Sequence, residues 1–326
     1  MKKLFTLALV MALAATACGN DDSTEAGSAQ AAPEDSGDAA ADDTAAESTD
    51  SNEPVADDPA SDAPVADDPA AVERIVSLSP TATEILFAIG AGDLVVAVDA
   101  YSNYPAEAPA SDLDGFTPNV EAIAAFDPQL VTMQTNAAAA DLEALGITVI
   151  ERDAPATFDG IYTQIEELGA ATGRIAEAAQ LVLEMQTEIA ALREQAPDAS
   201  GLTYYHELGT DYYSLNGDSF IAEVYALFGL TSIGDQAGGE AFNGYLPLSE
   251  EFILGADPDL IFLADTIFAA QTAETVAARP GWGDLSAVRN GAVIELDDDV
   301  ASRWGPRVVD FVRQIAEALE TVAAPA

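Results

Sequence analysis

The side chains best suited to hold a ligand are aromatic residues in predicted loops, at places where strands end. The set is Tyr101, Tyr104, Phe116, Tyr212, Tyr213, Tyr245 and Trp304. Such loops line pockets for large, partly apolar ligands, because aromatic rings supply rigid contact area at a low cost in entropy. The alternative is that these rings cover the cores of the fold, and we expect about half of the set to do so.

Residues for catalysis or metal binding are scarce. Cys18 is the only cysteine and His206 the only histidine, so neither a cysteine nucleophile nor a histidine-rich metal site can be assembled. The sequence has no Gly-x-Ser-x-Gly elbow and no Gly-rich phosphate loop. His206 lies beside Glu207 in a predicted strand, where a buried role is favoured over a polar or axial contact to a bound metal chelate. We therefore predict no catalytic residue, no resident metal and no cofactor.

Two arginines near the C-terminus stand out because cations are few. After position 71 the chain has nine arginines, no lysine and 41 acidic residues, a formal charge of −32. This charge argues against nucleic acid and anionic lipid surfaces as partners. Arg303 and Arg307 can each pair with a ligand carboxylate or amide, or with an acidic side chain of the fold itself.

One long helix is predicted between the two halves of the chain. From Arg174 to Gln195 there is no Gly or Pro, and apolar residues recur at steps of three and four on one helical face. These residues are Ile175, Ala178, Leu181, Val182, Met185, Ile189 and Leu192. Gly173 precedes the helix and Pro197 follows its end. Such a helix reaches about 30 Å, the width of a small domain.

The halves on either side of this helix resemble each other. Residues 119–131 and 249–261 each predict a short helix, an Asp-Pro turn and a buried strand, and each copy is followed by a further helix and strand. A glutamate, Glu121 or Glu251, lies six residues before the Asp-Pro pair of each copy. Each half is therefore predicted to form a small α/β unit of its own.

The predicted fold is α/β, with two small α/β lobes of parallel sheets joined by one long backbone helix. Ligands of such sheets bind beyond the carboxyl ends of the strands, where Ser79, Tyr101 and Tyr104 are predicted to lie. Thr81 or Thr83 is predicted to cap the first helix. The predicted boundaries are 72–158 for the N-terminal lobe, 159–199 for the linking helical segment and 200–326 for the C-terminal lobe.

The first 71 residues are predicted to export and tether the domain. Residues 1–18 carry two lysines, an apolar run too short to span a bilayer and the ending Ala15-Thr-Ala-Cys18. This ending resembles a lipobox, which predicts a lipid on Cys18 and an extracytoplasmic protein anchored to the outer face of the cell membrane. The alternative is an ordinary secretory signal with an incidental cysteine. Residues 19–71 hold 16 carboxylates and no aromatic or basic residue, which is typical of a disordered spacer.

Several segments resemble the helical-backbone substrate-binding proteins of ABC importers, and their cobalamin-binding branch in particular. They are Arg74–Glu84, Tyr101–Pro105, Asn119–Glu121 with Asp127-Pro128, and Ser302–Arg307. The resemblance runs from about Val72 to the C-terminus, and siderophore and haem binders are relatives. It implies two lobes bridged by one long helix, and a monomeric binding protein rather than an enzyme.

The resemblance also implies partners. Glu121 and Glu251 match the glutamates that dock onto arginines of a dimeric permease, one from each lobe. The implied ligand is a small metal chelate, with cobalamin or another corrinoid as the first expectation. A ferric siderophore or haem is the alternative, followed by a surface sensor or an enzyme with the same fold.

Tyr101, Tyr213, Tyr245 and Arg303 match the pocket positions of cobalamin binders. With the residues at strand ends and in the aromatic loops, the expected ligand-binding set is Ser79, Tyr101, Phe116, Tyr213, Tyr245, Arg303 and Trp304. The sequence departs from the pocket pattern of cobalamin binders at two positions, and these departures bear on which ligand is bound rather than on the transport role. Tyr245 stands where a tryptophan is expected, and the aromatic residue at Phe116 is displaced by one position.

Overall fold

The computed structural model describes residues 71–323. The predicted export signal, Cys18 and the predicted tether up to position 70 lie outside these residues. Within the described part of the chain, no helix is both long and apolar enough to cross a membrane.

The N-terminal lobe is built on a five-stranded parallel sheet. Its strands are β1 (Ile75–Leu78), β2 (Val95–Asp99), β3 (Ala110–Leu113), β4 (Leu130–Met133) and β5 (Thr148–Glu151), in the order β3-β2-β1-β4-β5. Its helices are α1 (Pro80–Ala88), α2 (Val120–Ala124) and α3 (Ala138–Ala144). Strands β2 and β3 lie on one side of β1, and the chain then crosses to form β4 and β5 on the other side. This reversal of strand order next to β1 is where ligand sites of parallel sheets form.

Strand β1 contributes to two cores. Ile75 joins a large core that continues through the linking helices into the C-terminal lobe. Val76 and Leu78 join a smaller core within the N-terminal lobe. All four residues of β1 are buried, as expected of a central strand whose sheet is covered on both faces.

Two helices link the lobes, α4 (Phe158–Thr172) and α5 (Ile175–Gln195), and α5 is the predicted long helix. Gly173, in the left-handed conformation at φ 72°, ends α4. The two helices meet closely, because a Cβ added at Gly169 would come within 2.4 Å of the Ala178 Cβ. Helix α5 buries Ala178, Val182, Met185 and Ile189, whereas Ile175 at the start of the predicted apolar face is exposed.

The C-terminal lobe has a four-stranded parallel sheet and a separate antiparallel pair. The strands are β6 (Thr203–Glu207), β7 (Tyr213–Leu215), β8 (Thr231–Ser232), β9 (Tyr245–Pro247), β10 (Leu260–Leu263) and β11 (Val293–Glu295). The sheet order is β11-β10-β6-β8, and β7 pairs with β9. The helices are α6 (Phe220–Ala226), α7 (Glu250–Ala256), α8 (Ala273–Ala277), α9 (Ser286–Arg289), α10 (Asp298–Ala301) and α11 (Val308–Ala323). Helix α11 returns to pack on α5, which completes the predicted two-lobed α/β fold.

The structure corrects two local predictions. Tyr213 and Tyr245 were predicted in loops but lie in β7 and β9, where Tyr213 is opposite Pro247 and Tyr245 is opposite Leu215. Strand β3 was not predicted either. These strands have three or four residues, and such short strands depend on a partner that is distant in sequence rather than on their own residue pattern.

The backbone supports the predicted repeat between the halves. Asp127 and Asp257, each followed by a proline, both adopt the left-handed conformation, at φ 50° and 44°. Each Asp-Pro pair precedes an interior strand of its sheet, β4 in the N-terminal lobe or β10 in the C-terminal lobe. The side chains of Asn119 and Ser249 cap α2 and α7 in the same way.

Candidate ligand-binding site

A cavity of about 200 Å³ lies at the carboxyl ends of β1, β2 and β4. Its walls are Leu78, Ser79, Pro80, Thr81, Asp99, Tyr101, Gly115, Phe116, Gln134, Asp299, Ser302, Arg303 and Trp304. Because the last four residues follow the C-terminal sheet in the chain, both halves of the protein contribute to it. The cavity brings together Ser79, Tyr101, Phe116, Arg303 and Trp304 of the expected ligand-binding set.

Tyr101 and Phe116 form the aromatic wall of this cavity. Their ring centroids lie 5.5 Å apart with planes at 74°, an edge-to-face contact. Both side chains remain exposed, Tyr101 at 51% and Phe116 at 67%. Large exposed aromatic rings that meet beside a cavity are typical of a binding surface.

The loop that presents Phe116 passes very close to the strand ends. At position 115, a Cβ would come within 2.6 Å of both the Asp99 carboxylate and the Leu78 carbonyl oxygen, so glycine is required there. The Asp114 carboxylate accepts a hydrogen bond from the Phe116 N–H at 2.8 Å. This loop therefore holds the backbone of Phe116 close to the carboxyl ends of the strands, where its ring meets that of Tyr101.

Ser79 has a structural role in addition to its place in the cavity wall. Its hydroxyl accepts a hydrogen bond from the Ala82 N–H at 3.4 Å and caps α1. The prediction that Thr81 or Thr83 caps this helix is therefore wrong. The helix begins at Pro80, whose missing N–H is tolerated at the first position, so the cap falls one residue earlier.

Arg303 is held by four acceptors. Nη1 donates to Glu84 and Asn103, both at 3.0 Å, and Nη2 donates to the Tyr101 carbonyl at 3.2 Å and to Asp299 at 2.7 Å. The sequence left open whether this arginine pairs with a ligand or with an acidic side chain of the fold. The structure contains the second kind of pair. The guanidinium group still lines the cavity, so a ligand would meet a cation whose orientation is already set.

Arg307 and Tyr104 lie outside this cavity. The Arg307 guanidinium group donates to Glu84 and stacks 4.3 Å from the centroid of the Tyr104 ring. Tyr104 was predicted at the strand ends as a ligand contact, but the structure uses its ring in this cation–π pair.

Asp99 is a cavity residue that the sequence analysis did not identify. It is the last residue of β2 and is only 2% exposed. Burial raises the pKa of its carboxyl group, while hydrogen bonds with Ser102 and the charge of Arg303 act in the opposite direction. Its position, an acidic residue at the carboxyl end of an apolar strand, is the sequence signal that would have identified it.

Tyr213 and Tyr245 do not line this cavity. They lie on the antiparallel pair of the C-terminal lobe. Burial raises the pKa of the Tyr245 hydroxyl, and the neighbouring Tyr213 adds to the shift. The structure therefore separates these two tyrosines from the residues that surround Arg303.

Glu121 and Glu251 occupy equivalent places in the two lobes. Each lies in the first turn of a short helix, α2 or α7, and each is exposed. The capping side chains of Asn119 and Ser249 accept N–H groups at 3.0 and 3.2 Å. Other side chains cap both helices, so neither carboxylate serves as the cap, and both are exposed at matching positions of the two lobes.

His206 lies in the core of the C-terminal lobe. It is fully buried, and its Nδ1 lies 2.8 Å from the Tyr225 hydroxyl. Burial lowers the pKa of the imidazole to about 3. Contact with a chelate is therefore not available to it, and the buried role is confirmed. Among residues 71–323, no three His, Cys, Asp or Glu side chains are grouped so as to hold a metal ion.

Residues 75–300, from β1 into α10, match the family model described as periplasmic binding protein. The chain belongs to this family. One relative of this periplasmic binding protein is the uncharacterized ABC transporter substrate-binding lipoprotein YvrC of Bacillus subtilis, 30% identical over 76% of this chain and 80% of the relative. Another is the cobalamin-binding protein of Halobacterium salinarum, also 30% identical, over 76% of this chain and 69% of the relative.

Solved structures share the fold of this periplasmic binding protein. The vitamin B12 binding protein BtuF of Vibrio cholerae superposes with a TM-score of 0.67 and is 29% identical, over 78% of this chain and 99% of the other. The haem-binding protein RhuT from Roseiflexus sp. RS-1 superposes equally well, at 0.67 and 26% identity, over 77% of this chain and 99% of the other. The two-lobed α/β architecture is therefore that of the family.

Proposed function

We propose that this protein captures a metal chelate, cobalamin or another corrinoid, and delivers it to an ABC permease in the membrane. The observation that carries the proposal is the cavity where the exposed Tyr101–Phe116 pair faces Arg303 and Trp304. An apolar ring system with amide side chains suits such a wall, because the aromatic rings cover its faces while the guanidinium group meets a polar substituent.

The cavity is smaller than a corrinoid, so it would receive one part of the ligand. At about 200 Å³ it lies below the range of about 300–1,000 Å³ that encloses a drug-sized molecule. The remainder of a corrinoid would extend over the exposed rings toward the C-terminal lobe. Tyr213 and Tyr245 are the proposed contacts there, and Ser79 and Asp99 would border the enclosed part.

The relatives support a corrinoid over other chelates. A cobalamin-binding protein is 30% identical to this chain, and a vitamin B12 binding protein is 29% identical with a TM-score of 0.67. Because family membership indicates a protein that binds and releases a solute, we propose a binder rather than an enzyme.

Haem is the second candidate, and one observation favours it. Tyr101 is a half-exposed phenol at the mouth of the cavity, and a tyrosine oxygen is a known axial ligand of haem iron. A haem-binding protein also shares the fold, with a TM-score of 0.67. Ferric siderophores are tested beside it as the third class of metal chelate.

We also propose how the protein reaches its transporter. A lipid on Cys18 would hold it at the outer face of the cell membrane, with residues 19–71 as a spacer. Glu121 and Glu251 would then dock a monomeric binding protein onto two arginine pockets of a dimeric permease.

Spectrophotometric titration and thermal unfolding with cyanocobalamin, haemin and a ferric hydroxamate test the proposal. We expect cyanocobalamin to bind saturably and to raise the unfolding temperature most, since a ligand at 100 times its Kd adds about 2.7 kcal/mol to folding stability. Selective binding of haemin, lost in Tyr101→Phe, would establish the second candidate. Failure of all three chelates to bind would overturn a chelate-binding role.

A further inference from the structure

Two acidic residues, Glu207 and Asp265, are fully buried at the carboxyl ends of neighbouring strands in the C-terminal lobe. Glu207 is the last residue of β6, and Asp265 lies two residues beyond the end of β10. In the sheet, Glu207 is the partner of Leu263. Because side chains two positions apart point to the same face of a sheet, Asp265 lies on the face of Glu207, and the two carboxyl groups contact each other.

Arg279 is the cation that faces these acids, and Glu207 occupies it. Its Nη1 and Nη2 atoms donate to the two Glu207 carboxylate oxygens at 2.6 and 2.5 Å. Neither carboxylate oxygen of Asp265 accepts a hydrogen bond from an N–H or hydroxyl group of residues 71–323. Two buried carboxylates beside one guanidinium group would leave one negative charge uncompensated, which is costly in the interior of a protein.

One proton removes both deficits. A protonated Asp265 donates its O–H to Glu207 and makes the cluster neutral, because two carboxyl groups at close range cannot both ionise. Burial raises the pKa of Asp265 to about 7, the charges of Glu207 and Asp298 add to the shift, and Arg279 opposes it. Burial also raises the pKa of the Tyr205 hydroxyl on β6, so this group stays neutral. The acidic pair therefore holds a proton below neutral pH.

Asp265 begins the loop of residues 266–272, which leads from β10 to α8 and which we call the β10–α8 loop. The carbonyl oxygen of Asp265 accepts the N–H of Gln271 at 3.3 Å, and the Gln271 side chain accepts a hydrogen bond from Arg279 at 2.7 Å. The Asp298 carboxylate accepts two further N–H groups of the loop, at 2.9 and 3.0 Å. The path of the loop is therefore fixed by the same charged cluster.

We propose that Glu207 and Asp265 form a proton-linked switch that closes the β10–α8 loop while they share a proton and loosens it when the proton is lost to solvent. An ionised Asp265 competes with Glu207 for one guanidinium group, and a buried carboxylate without a partner is stabilised by water. The loop that carries it therefore opens toward solvent. Because the loop exposes Ile267 and Phe268, its opening changes an apolar part of the surface, whichever ligand the protein carries.

Infrared spectroscopy of the full chain at a series of pH values tests the proton itself. We expect a C=O stretching band of a protonated carboxyl group that persists at about pH 6, where ordinary Asp and Glu side chains are ionised, and that disappears with a midpoint of about 7. Asp265→Asn should lack this band. Glu207→Gln should lack it as well, because Arg279 is then available to an ionised Asp265. The control Glu274→Gln, at an exposed carboxylate of α8, should keep it.

Hydrogen exchange of the loop amides tests the opening. The exchange rate of the wild type is divided by that of Asp265→Asn at the same pH, so that the chemical pH dependence of exchange cancels. Asp265 is protonated in the closed loop and has its ordinary pKa when exposed. The ratio should therefore rise by up to about tenfold per pH unit between 3.8 and about 7 and level off above 7.

Both tests stand on the wild type and Asp265→Asn alone if Glu207→Gln does not fold. A wild type without the band at about pH 6, or a band that also titrates near 7 in Asp265→Asn, would overturn the shared proton. An exchange ratio that stays constant between acid and alkaline pH would overturn the switch, because the proton would then have no effect on the loop.

Discussion

Arg307 binds the carboxylate of Glu84, although the two residues are 223 positions apart in the chain. Nη2 lies 2.6 Å and Nε 3.1 Å from the two carboxylate oxygens. Arg303 reaches the same carboxylate at 3.0 Å, and the Glu84 side chain is only 1% exposed. One buried glutamate of α1 therefore holds two arginines that follow the C-terminal sheet, and this cluster connects the lobes next to the candidate site.

Glu84→Gln should destabilise the protein strongly. Removing one partner of a buried ion pair leaves the remaining charges uncompensated and costs about 3–5 kcal/mol. Chemical denaturation should show a loss of that size in the free energy of unfolding. The control is Glu107→Gln, an exposed acid that borders the same groove as Arg307; it should change stability by less than about 0.5 kcal/mol. Equal stability of the two variants would contradict this role of Glu84.

The lobes should move little when ligand binds. The large core is continuous from Ile75 through the linking helices to the C-terminal lobe, and the Glu84 cluster adds a second connection. Hinge closure requires a few residues that absorb a large dihedral change. We expect rotations of a few degrees between free and loaded forms, measured by small-angle scattering or by crystal structures. A closure of tens of degrees would be inconsistent with this connection.

The aromatic wall should dominate affinity for the chelate. Truncation of an aromatic anchor typically costs about 2 kcal/mol, which is about thirtyfold in Kd. Tyr101→Ala and Phe116→Ala should each show such a loss in titration, and Tyr245→Ala should show a similar one if the ligand spans both lobes. Phe242→Ala is the control, since Phe242 is 76% exposed and does not line the cavity. Unchanged affinity in Tyr101→Ala and Phe116→Ala would place the ligand elsewhere.

Transport should depend on the paired glutamates. Glu121→Arg combined with Glu251→Arg should abolish uptake while ligand affinity and unfolding temperature stay near those of the unmodified protein, because both side chains are exposed. Alanine at either position alone should have a milder effect, since one docking contact survives. Full uptake by the double reversal would leave these residues as first-turn carboxylates that favour their helices by some tenths of a kcal/mol.

His206 should make stability fall in acid. Its folded pKa of about 3 lies below the ordinary value of 6.5, so its contribution is complete above 6.5 and is lost as the pH falls toward 3. Between pH 6 and 4 the slope approaches about 1.4 kcal/mol per pH unit for one proton. Denaturation of the wild type and of His206→Asn at several pH values isolates this slope, because all carboxylates are common to both. Parallel stability curves would show that His206 is not buried in the neutral form.

The sequence alone determined the long helix and the repeat. The apolar residues from Ala178 to Ile189, uninterrupted by Gly or Pro, predict α5, and the structure contains it. Likewise, the Asp-Pro pairs mark the same turn in both lobes. Helical periodicity and turn chemistry depend on residues within a few positions of each other, so a single segment contains the required information.

The tertiary structure decided which distant residues meet. The sequence left open whether Arg303 binds a ligand or an acid of the fold, and the folded chain places Glu84 and Asp299 against it. The structure also places Tyr213 and Tyr245 in a pair of strands, whereas the sequence predicted loops for both. Ion pairing and the pairing of three-residue strands depend on distances between parts of the chain that are far apart in sequence. Those distances are set only when the cores of both lobes have packed.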